Sequence, residues 1–235
     1  MSLLFSFLIS VCGADEILDR SDWPHHVSKI VRGDRKSITN FPYMASVGAF
    51  NSTSQVVTTH WCGASIIDHE WLLTAAHCFQ NLTQADWQQR GALVGSDYVE
   101  GIPDAGAQML PIANGYVHED RNNDICLIKG WGETRQDSGP RKPLMGFVMR
   151  SIPKADCVYP RGLCFIDVRN DATACYGDSG SPVAYYDSKR RKYVQVSALR
   201  GITPGCGAPT TIMFGVNVSE FCGWIAHTTG KKICI

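Results

Sequence analysis

The chain has 235 residues, of which 44% are hydrophobic, so it can bury a large core as one or two domains. Its 22 basic and 22 acidic residues give a formal net charge of zero at pH 7. This composition gives no support to a nucleic-acid partner or an anionic-membrane partner.

The first residues predict a secretory signal peptide. Residues 3–11 form an apolar run, the small residues Cys12-Gly13-Ala14 follow, and the acidic pair Asp15-Glu16 comes next. This order is typical of a signal cleaved near Ala14, although no Lys or Arg precedes the run. The alternatives are a buried strand or a membrane anchor, and the run is too short to span a bilayer. We therefore interpret residues 1–14 as a signal peptide and expect a secreted, extracellular protein.

Short β-rich segments follow along the chain, and Gly, Pro, Asn and Asp separate them. This pattern predicts an all-β sandwich or barrel, with a helix near the end at residues 220–227. The predicted strands are residues 43–50, 55–61, 64–74, 92–94, 125–129, 143–150, 182–186, 193–199 and 212–218.

Three motifs carry candidate chemistry. His77 lies in Thr74-Ala75-Ala76-His77-Cys78, Asp124 lies in Asn122-Asn123-Asp124-Ile125, and Ser179 lies in Gly177-Asp178-Ser179-Gly180-Ser181-Pro182-Val183. The glycines allow a tight turn that presents the serine with its amides exposed. A serine alcohol needs a neighbouring base, and a histidine can supply one. The alternatives for each residue taken singly are a surface or core histidine, a helix-capping or surface aspartate and a turn serine.

Together with further motifs, they make the chain resemble the chymotrypsin/trypsin-like serine proteases, whose order of His, Asp and Ser it shares. The resemblance runs from Ile30 to the C-terminus. The segments that carry it are Ile30-Val31-Arg32-Gly33, Trp61-Cys62-Gly63-Ala64-Ser65, residues 71–78, residues 123–129, Gly130-Trp131-Gly132, residues 175–183 and Trp224-Ile225.

The resemblance implies two antiparallel β-barrels with a short C-terminal helix. The protease domain would span residues 30–235, with His77 and Asp124 in the first barrel and Ser179 in the second. Ser179 would be the nucleophile, His77 the general base, and Asp124 the group that orients the imidazole. The backbone amides of Gly177 and Ser179 would form the oxyanion hole. The implied substrates are proteins or peptides, and no cofactor or metal is implied.

The resemblance also implies activation by proteolysis. Lys29 precedes Ile30, so a trypsin-like protease could cut there and remove residues 15–29 as a propeptide. In the family the new ammonium group inserts beside the aspartate that precedes the nucleophile, which is Asp178 here. A buried ammonium and a buried carboxylate each need a partner, and the pair would order the oxyanion loop. The implied partners are an activating protease and protein protease inhibitors.

The specificity pocket implied by the resemblance departs from that of trypsin. Its floor would be Thr173, which offers no charge to a basic side chain. The wall that usually reads Ser-Trp-Gly would be Ser197-Ala198-Leu199, and Leu199 would narrow the mouth. Met213 would narrow the opposite wall. We therefore expect cleavage after small or medium apolar residues, with broad selectivity.

Ten cysteines fit an oxidising compartment, and nine remain once Cys12 leaves with the signal. The resemblance implies three disulfides, Cys62–Cys78, Cys157–Cys164 and Cys175–Cys206. It implies no partner for the remaining three cysteines, which are Cys126, Cys222 and Cys234. The sequons that begin at Asn51, Asn81 and Asn217 predict glycosylation wherever they are exposed.

One departure from the family sets up a rival reading. Lys129 runs directly into Gly130-Trp131-Gly132, where the family has a long connecting segment that includes the opening strand of the second barrel. The second barrel would then lack a strand and expose unpaired edges. The gap fits a compact variant, an exon-skipped isoform or a faulty gene model. The rival to a secreted zymogen is therefore a non-catalytic homologue, or a truncated inactive isoform, that acts as a binding protein.

Overall fold

The computed structural model describes most of the chain. The described residues are 8–9, 33–51, 53–54, 56–79, 83–87, 89–98, 104–118, 145–208 and 210–234. Within them, no helix is both long and apolar enough to span a membrane.

Strands dominate the described residues, as the sequence predicts, and most pairings between them are antiparallel. The strands are β1 (Leu8–Ile9), β2 (Asp34–Arg35), β3 (Met44–Asn51), β4 (Val56–Asp68), β5 (Trp71–Leu73), β6 (Arg90–Val94), β7 (Gln108–Pro111), β8 (Met145–Gly146), β9 (Met149–Ser151), β10 (Gly162–Asp167), β11 (Pro182–Asp187), β12 (Lys192–Thr203) and β13 (Ile212–Asn217). The α-helices are α1 (Gln84–Trp87) and α2 (Cys222–Thr229).

The first half of the molecule is a five-stranded antiparallel sheet with the order β5-β4-β3-β6-β7. Its central strand β3 is buried at nearly every position, so both faces of this strand are covered. Two core clusters pack on it, one around Tyr43 and Met44 and the other around Val47 and Phe79. The predicted strands 55–61 and 64–74 are one long strand, β4, followed by the short β5.

The second half is a six-stranded sheet with the order β1-β12-β13-β10-β9, and β11 pairs with residues 192–198 of β12. Its core cluster includes Val183, Val196, Leu199, Met213 and Val216. Strand β1, which lies in the predicted signal peptide, pairs in parallel with β12. The predicted cleavage near Ala14 stays a prediction, and it would remove this strand.

The two halves are joined at several places. Strand β2, near the start of the first half, pairs with β8 at the start of the second. The chain ends with a 3-10 turn, Val218–Phe221, followed by α2, which begins two residues later than predicted and ends at Gly230 with a positive φ of 68°. Lys231 then forms an ion pair with Asp68 of β4.

Four disulfides link described residues. Three are the pairs that the resemblance implies: Cys62–Cys78, Cys157–Cys164 and Cys175–Cys206. The fourth joins Cys222 to Cys234 across the C-terminal helix, a pairing that the sequence analysis left open. Cys12 and Cys126 lie outside the described residues.

Candidate active site

The loop that carries Ser179 is closed on itself by hydrogen bonds. Asp178 is fully buried, and one of its carboxylate oxygens, Oδ2, accepts the backbone N–H of Cys175 at 2.7 Å. The backbone N–H of Asp178 donates to the carbonyl of Cys175 at 3.0 Å, and the N–H of Ser181 donates to the carbonyl of Asp178 at 3.0 Å. Gly177 and Gly180 have φ of 90° and 87°, conformations that residues with a Cβ rarely adopt. This local bonding forms the tight turn that the motif predicts.

Gly63 of β4 fixes this loop against the first half of the molecule. Its N–H donates to the carbonyl of Ser179 at 2.9 Å, and its carbonyl accepts the hydroxyl of Thr74 at 2.8 Å. A Cβ placed on Gly180 would lie 2.1 Å from the carbonyl oxygen of Gly63. The close approach of the two backbones therefore requires glycine at position 180.

The turn that carries His77 is tied to the same place. His77 lies in a 3-10 turn, Ala76–Cys78, that has no side-chain cap, and the imidazole is accessible to solvent. Cys78 is bonded to Cys62, the residue before Gly63, with their Cα atoms 6.4 Å apart. One dipeptide of β4, Cys62-Gly63, therefore holds the predicted base through a covalent bond and the predicted nucleophile through a hydrogen bond.

Cys62, His77 and Cys78 lie close together but do not form a metal site. A ring nitrogen of His77 and the sulfurs of Cys62 and Cys78 lie within 4.8 Å of one another. Both sulfurs are committed to a disulfide, and the thiolate is the form of cysteine that binds a metal. The imidazole therefore packs beside the bridge.

Asp124, Lys29 and Ile30 lie outside the described residues, as does the junction of Lys129 and Gly130. The described chain on the way to Asp124 ends at His118, which makes edge contacts with the rings of Phe221 and Trp224 at 4.9 and 5.3 Å. These contacts hold His118 against the C-terminal 3-10 turn and α2.

Sequence reasoning missed one buried histidine at this site. A ring nitrogen of His60, Nε2, lies 3.0 Å from the carbonyl oxygen of Gly177, and Nδ1 lies 2.7 Å from the hydroxyl of Ser46. A carbonyl only accepts, so in the neutral ring Nε2 carries the proton and Nδ1 accepts from Ser46. His60 therefore supports the backbone of the predicted oxyanion loop. The only sequence signal is its position just before the Trp61-Cys62-Gly63 motif.

The residues predicted for the specificity pocket are all buried. The hydroxyl of Thr173 accepts the N–H of Gly207 at 2.8 Å, and that of Ser197 donates to the carbonyl of Val216 at 2.7 Å. The side chains of Leu199 and Met213 belong to the core of the second half. Leu199 is next to the nucleophile loop, since its carbonyl accepts the N–H of Gly180 at 3.4 Å.

A cavity of about 10 Å³ lies beside Thr173, which is room for roughly one water molecule. Burial raises the pKa of the Asp167 carboxyl on its wall, although the amides of Ala172 and Asp171 hydrogen bond to it. The residues that line the cavity are Asp167, Asn170, Ala172, Thr173, Ala208, Thr210 and Thr211.

Comparison with known families gives one match. The family model described as Trypsin matches residues 30–129 and residues 104–225, and together these stretches cover most of the chain. The two matched stretches overlap at residues 104–129, so this part of the chain aligns to the family in two ways.

Proposed function

The chain belongs to the trypsin family of serine proteases, and we propose that it is a secreted endopeptidase made as a zymogen. Ser179 attacks the scissile carbonyl while His77 accepts the hydroxyl proton, and the amine leaves with that proton from His77. Water then attacks the acyl-enzyme while His77 accepts its proton. His77 returns that proton to the oxygen of Ser179 as the acyl group leaves, which restores the free serine. Asp124 orients the imidazole, and the amides of Gly177 and Ser179 hold the oxyanion.

One observation carries the proposal. Cys62-Gly63 is bonded both to the turn of His77 and to the loop of Ser179, so the two groups belong to one rigid unit of backbone. A fixed relative position is what a nucleophile and its general base require. His60 supports the same arrangement, because it bonds to the carbonyl of Gly177 within the oxyanion loop.

The loop of Ser179 also supports the proposal that cleavage after Lys29 activates the protein. The new ammonium of Ile30 would pair with Asp178, whose buried carboxylate already bonds to the amide of Cys175. Strand β2, which begins four residues after Ile30, pairs with β8 of the second half. That pairing supports the proposal, because it brings the chain near the new terminus to the half that holds Asp178.

The proposed substrates are proteins and peptides with small or medium apolar side chains before the scissile bond. Thr173 carries no charge, and its hydroxyl is occupied by Gly207. Leu199 and Met213, the other predicted walls, are apolar and are buried in the core of the second half. An apolar site discriminates by only ~1–3 kcal/mol per methylene, so we expect broad selectivity. The four disulfides support secretion, since they persist in oxidising compartments.

A second candidate is a non-catalytic or truncated isoform that acts as a binding protein. The observation that favours it is the two-part family match, which overlaps just before the junction of Lys129 and Gly130. The short junction would leave the second barrel without its opening strand, with unpaired backbone groups at ~1–3 kcal/mol each. This candidate predicts weak secretion and low activity. Both should increase when about thirty residues are restored after Lys129.

Labelling of the active serine separates the two candidates. The full chain is cleaved at Lys29 with trypsin, the trypsin is removed, and a fluorophosphonate probe is added. We expect labelling that depends on cleavage and is absent from Ser179→Ala. A folded, cleaved chain that takes up no label would contradict the protease and favour the binding protein. In a separate sample of the cleaved, unlabelled enzyme, chromogenic peptides ending in Ala, Val or Leu should be cut faster than those ending in Arg.

A further inference from the structure

Four consecutive cationic residues form the exposed turn between β11 and β12. They are Lys189-Arg190-Arg191-Lys192, which we call the basic turn, and each is exposed to solvent. The chain as a whole has equal numbers of basic and acidic residues, so this turn is a local concentration of positive charge. One acidic residue, Asp187, lies at its base.

Asp187 fixes the shape of the basic turn. One carboxylate oxygen accepts the backbone N–H groups of Lys189 and Arg190 at 2.9 and 3.0 Å, and the other binds the guanidinium of Arg190 at 2.6 Å. These bonds lower the pKa of Asp187, the amide of Arg190 having the largest effect, so the carboxylate stays ionised. The turn is therefore ordered before any partner binds, which reduces the entropy lost on binding.

The other three cations are available for a partner. Lys189, Arg191 and Lys192 form no ion pair with any residue that the structure describes. Arg191 has a φ of 52°, in the left-handed region where glycine or asparagine is favoured over arginine. Arginine occupies this position against the conformational preference of the backbone, which points to a role for its charge.

The base of the hairpin is anchored to the first half of the molecule. The ring of Tyr193 lies 5.3 Å from that of Tyr186, 5.5 Å from that of Tyr43 and 5.9 Å from that of Phe41. Strand β11 begins three residues after Ser179 and extends for about 17 Å at ~3.3 Å per residue. The basic turn therefore has a fixed position away from the candidate active site.

We propose that the basic turn binds a sulfated polysaccharide. Clustered Lys and Arg attract polyanions, and the planar guanidinium presents several N–H donors to oxyanions. Tyr185 and Tyr186 are 39% and 48% exposed beside the turn, and each offers an aromatic face and a hydroxyl to a sugar. The four disulfides indicate an oxidising compartment such as the extracellular space, where sulfated polysaccharides are the common polyanions.

The test measures binding of the full chain to heparin at 0.15 M NaCl, a concentration near physiological ionic strength. The variant carries Lys189→Ser, Arg191→Ser and Lys192→Ser, and it keeps Arg190 because that residue holds the turn. The matched control removes three exposed cations elsewhere, with Arg150→Ser, Lys154→Ser and Lys232→Ser. We expect the variant to lose affinity by about a hundredfold, since each cation at the anionic surface contributes about fivefold. The control should lose less than about fivefold in all, because its three cations lie outside the basic turn.

A single substitution separates lost binding from lost folding. Arg191→Gly should raise the melting temperature, because glycine adopts a φ of 52° without steric strain. It should also weaken heparin binding about fivefold, because one cation is lost. Equal losses in the variant and the control would overturn the proposal. So would binding to desulfated heparin as tight as to heparin. A tighter complex with a single-stranded oligonucleotide of equal charge would overturn it in favour of a nucleic-acid site.

Discussion

The loop of Ser179 and the turn of His77 are held by different means. Most of the loop is buried, although Tyr176 is exposed, and its amides form hydrogen bonds with Asp178, Cys175 and Leu199. The turn is a single exposed 3-10 turn without a side-chain cap, and the disulfide of Cys78 fixes it. A buried loop can be positioned by many weak bonds that water does not weaken, whereas an exposed turn needs a covalent bond to reach the same precision.

The strongest test of the buried loop is Gly180→Ala. The new Cβ would meet the carbonyl of Gly63 and force a left-handed alanine, so we expect a loss of about 2–5 kcal/mol in the free energy of unfolding. Fluorophosphonate labelling of Ser179 should be abolished. Gly205→Ala is the matched control, because a Cβ there meets no atom within 4 Å. Normal labelling in Gly180→Ala would show that the close approach to Gly63 is dispensable.

The exposed turn is tested by removing its bridge with Cys62→Ser and Cys78→Ser. The bridge spans 16 residues, so the unfolding free energy should fall by roughly 3 kcal/mol. Labelling of Ser179 should also slow, since His77 loses its anchor. The control is Cys222→Ser with Cys234→Ser, a bridge of similar span that is not bonded to the turn. Urea unfolding should show a similar loss of unfolding free energy in the two double variants. A similar loss of Ser179 labelling in both would refute the anchoring role of the Cys62–Cys78 bridge.

The support that reaches the loop of Ser179 from the first half is tested by Ser46→Ala. This change removes the hydroxyl that donates to buried His60, which should cost about 1–3 kcal/mol and slow labelling. Ser65→Ala removes a buried hydroxyl whose bond to Gln195 is longer, at 3.4 Å, and it should have a smaller effect on labelling. If the two variants label equally fast, His60 has no part in ordering the loop.

The smallest effect is expected for the pair of Asp68 and Lys231, which links the two halves at the surface. The hydrogen bond from Lys231 lowers the pKa of Asp68 below its ordinary value of about 3.9. A lowered folded pKa contributes stability above the unfolded pKa, and this stability is lost as the pH falls through the folded pKa. Asp68→Asn should therefore cost less than about 1 kcal/mol at pH 7, and less again near pH 2, below the unfolded pKa. Melting curves at both pH values measure the difference, and a constant difference would contradict the assignment.

Much of the fold could be predicted from alternating patterns and turn residues. Strands β3, β12 and β13 were predicted to within a few residues at one or both ends. Strand β10 was missed because the apolar stretch at Gly162–Asp167 is short and lies next to a disulfide loop. The pairing of Cys222 with Cys234 was not predicted, because spacing alone does not show whether two cysteines meet.

The sequence by itself determined the family, the candidate residues and the need for glycine around Ser179, because each depends on local motifs and backbone conformation. Only the tertiary structure decided that Cys62-Gly63 bonds to both candidate segments, the turn of His77 and the loop of Ser179, and that His60 supports Gly177, 117 residues away. Such contacts depend on the register and packing of two sheets. A shift of one residue in β4 would turn every side chain of that strand to the opposite face, and no local pattern encodes which distant loop lies opposite.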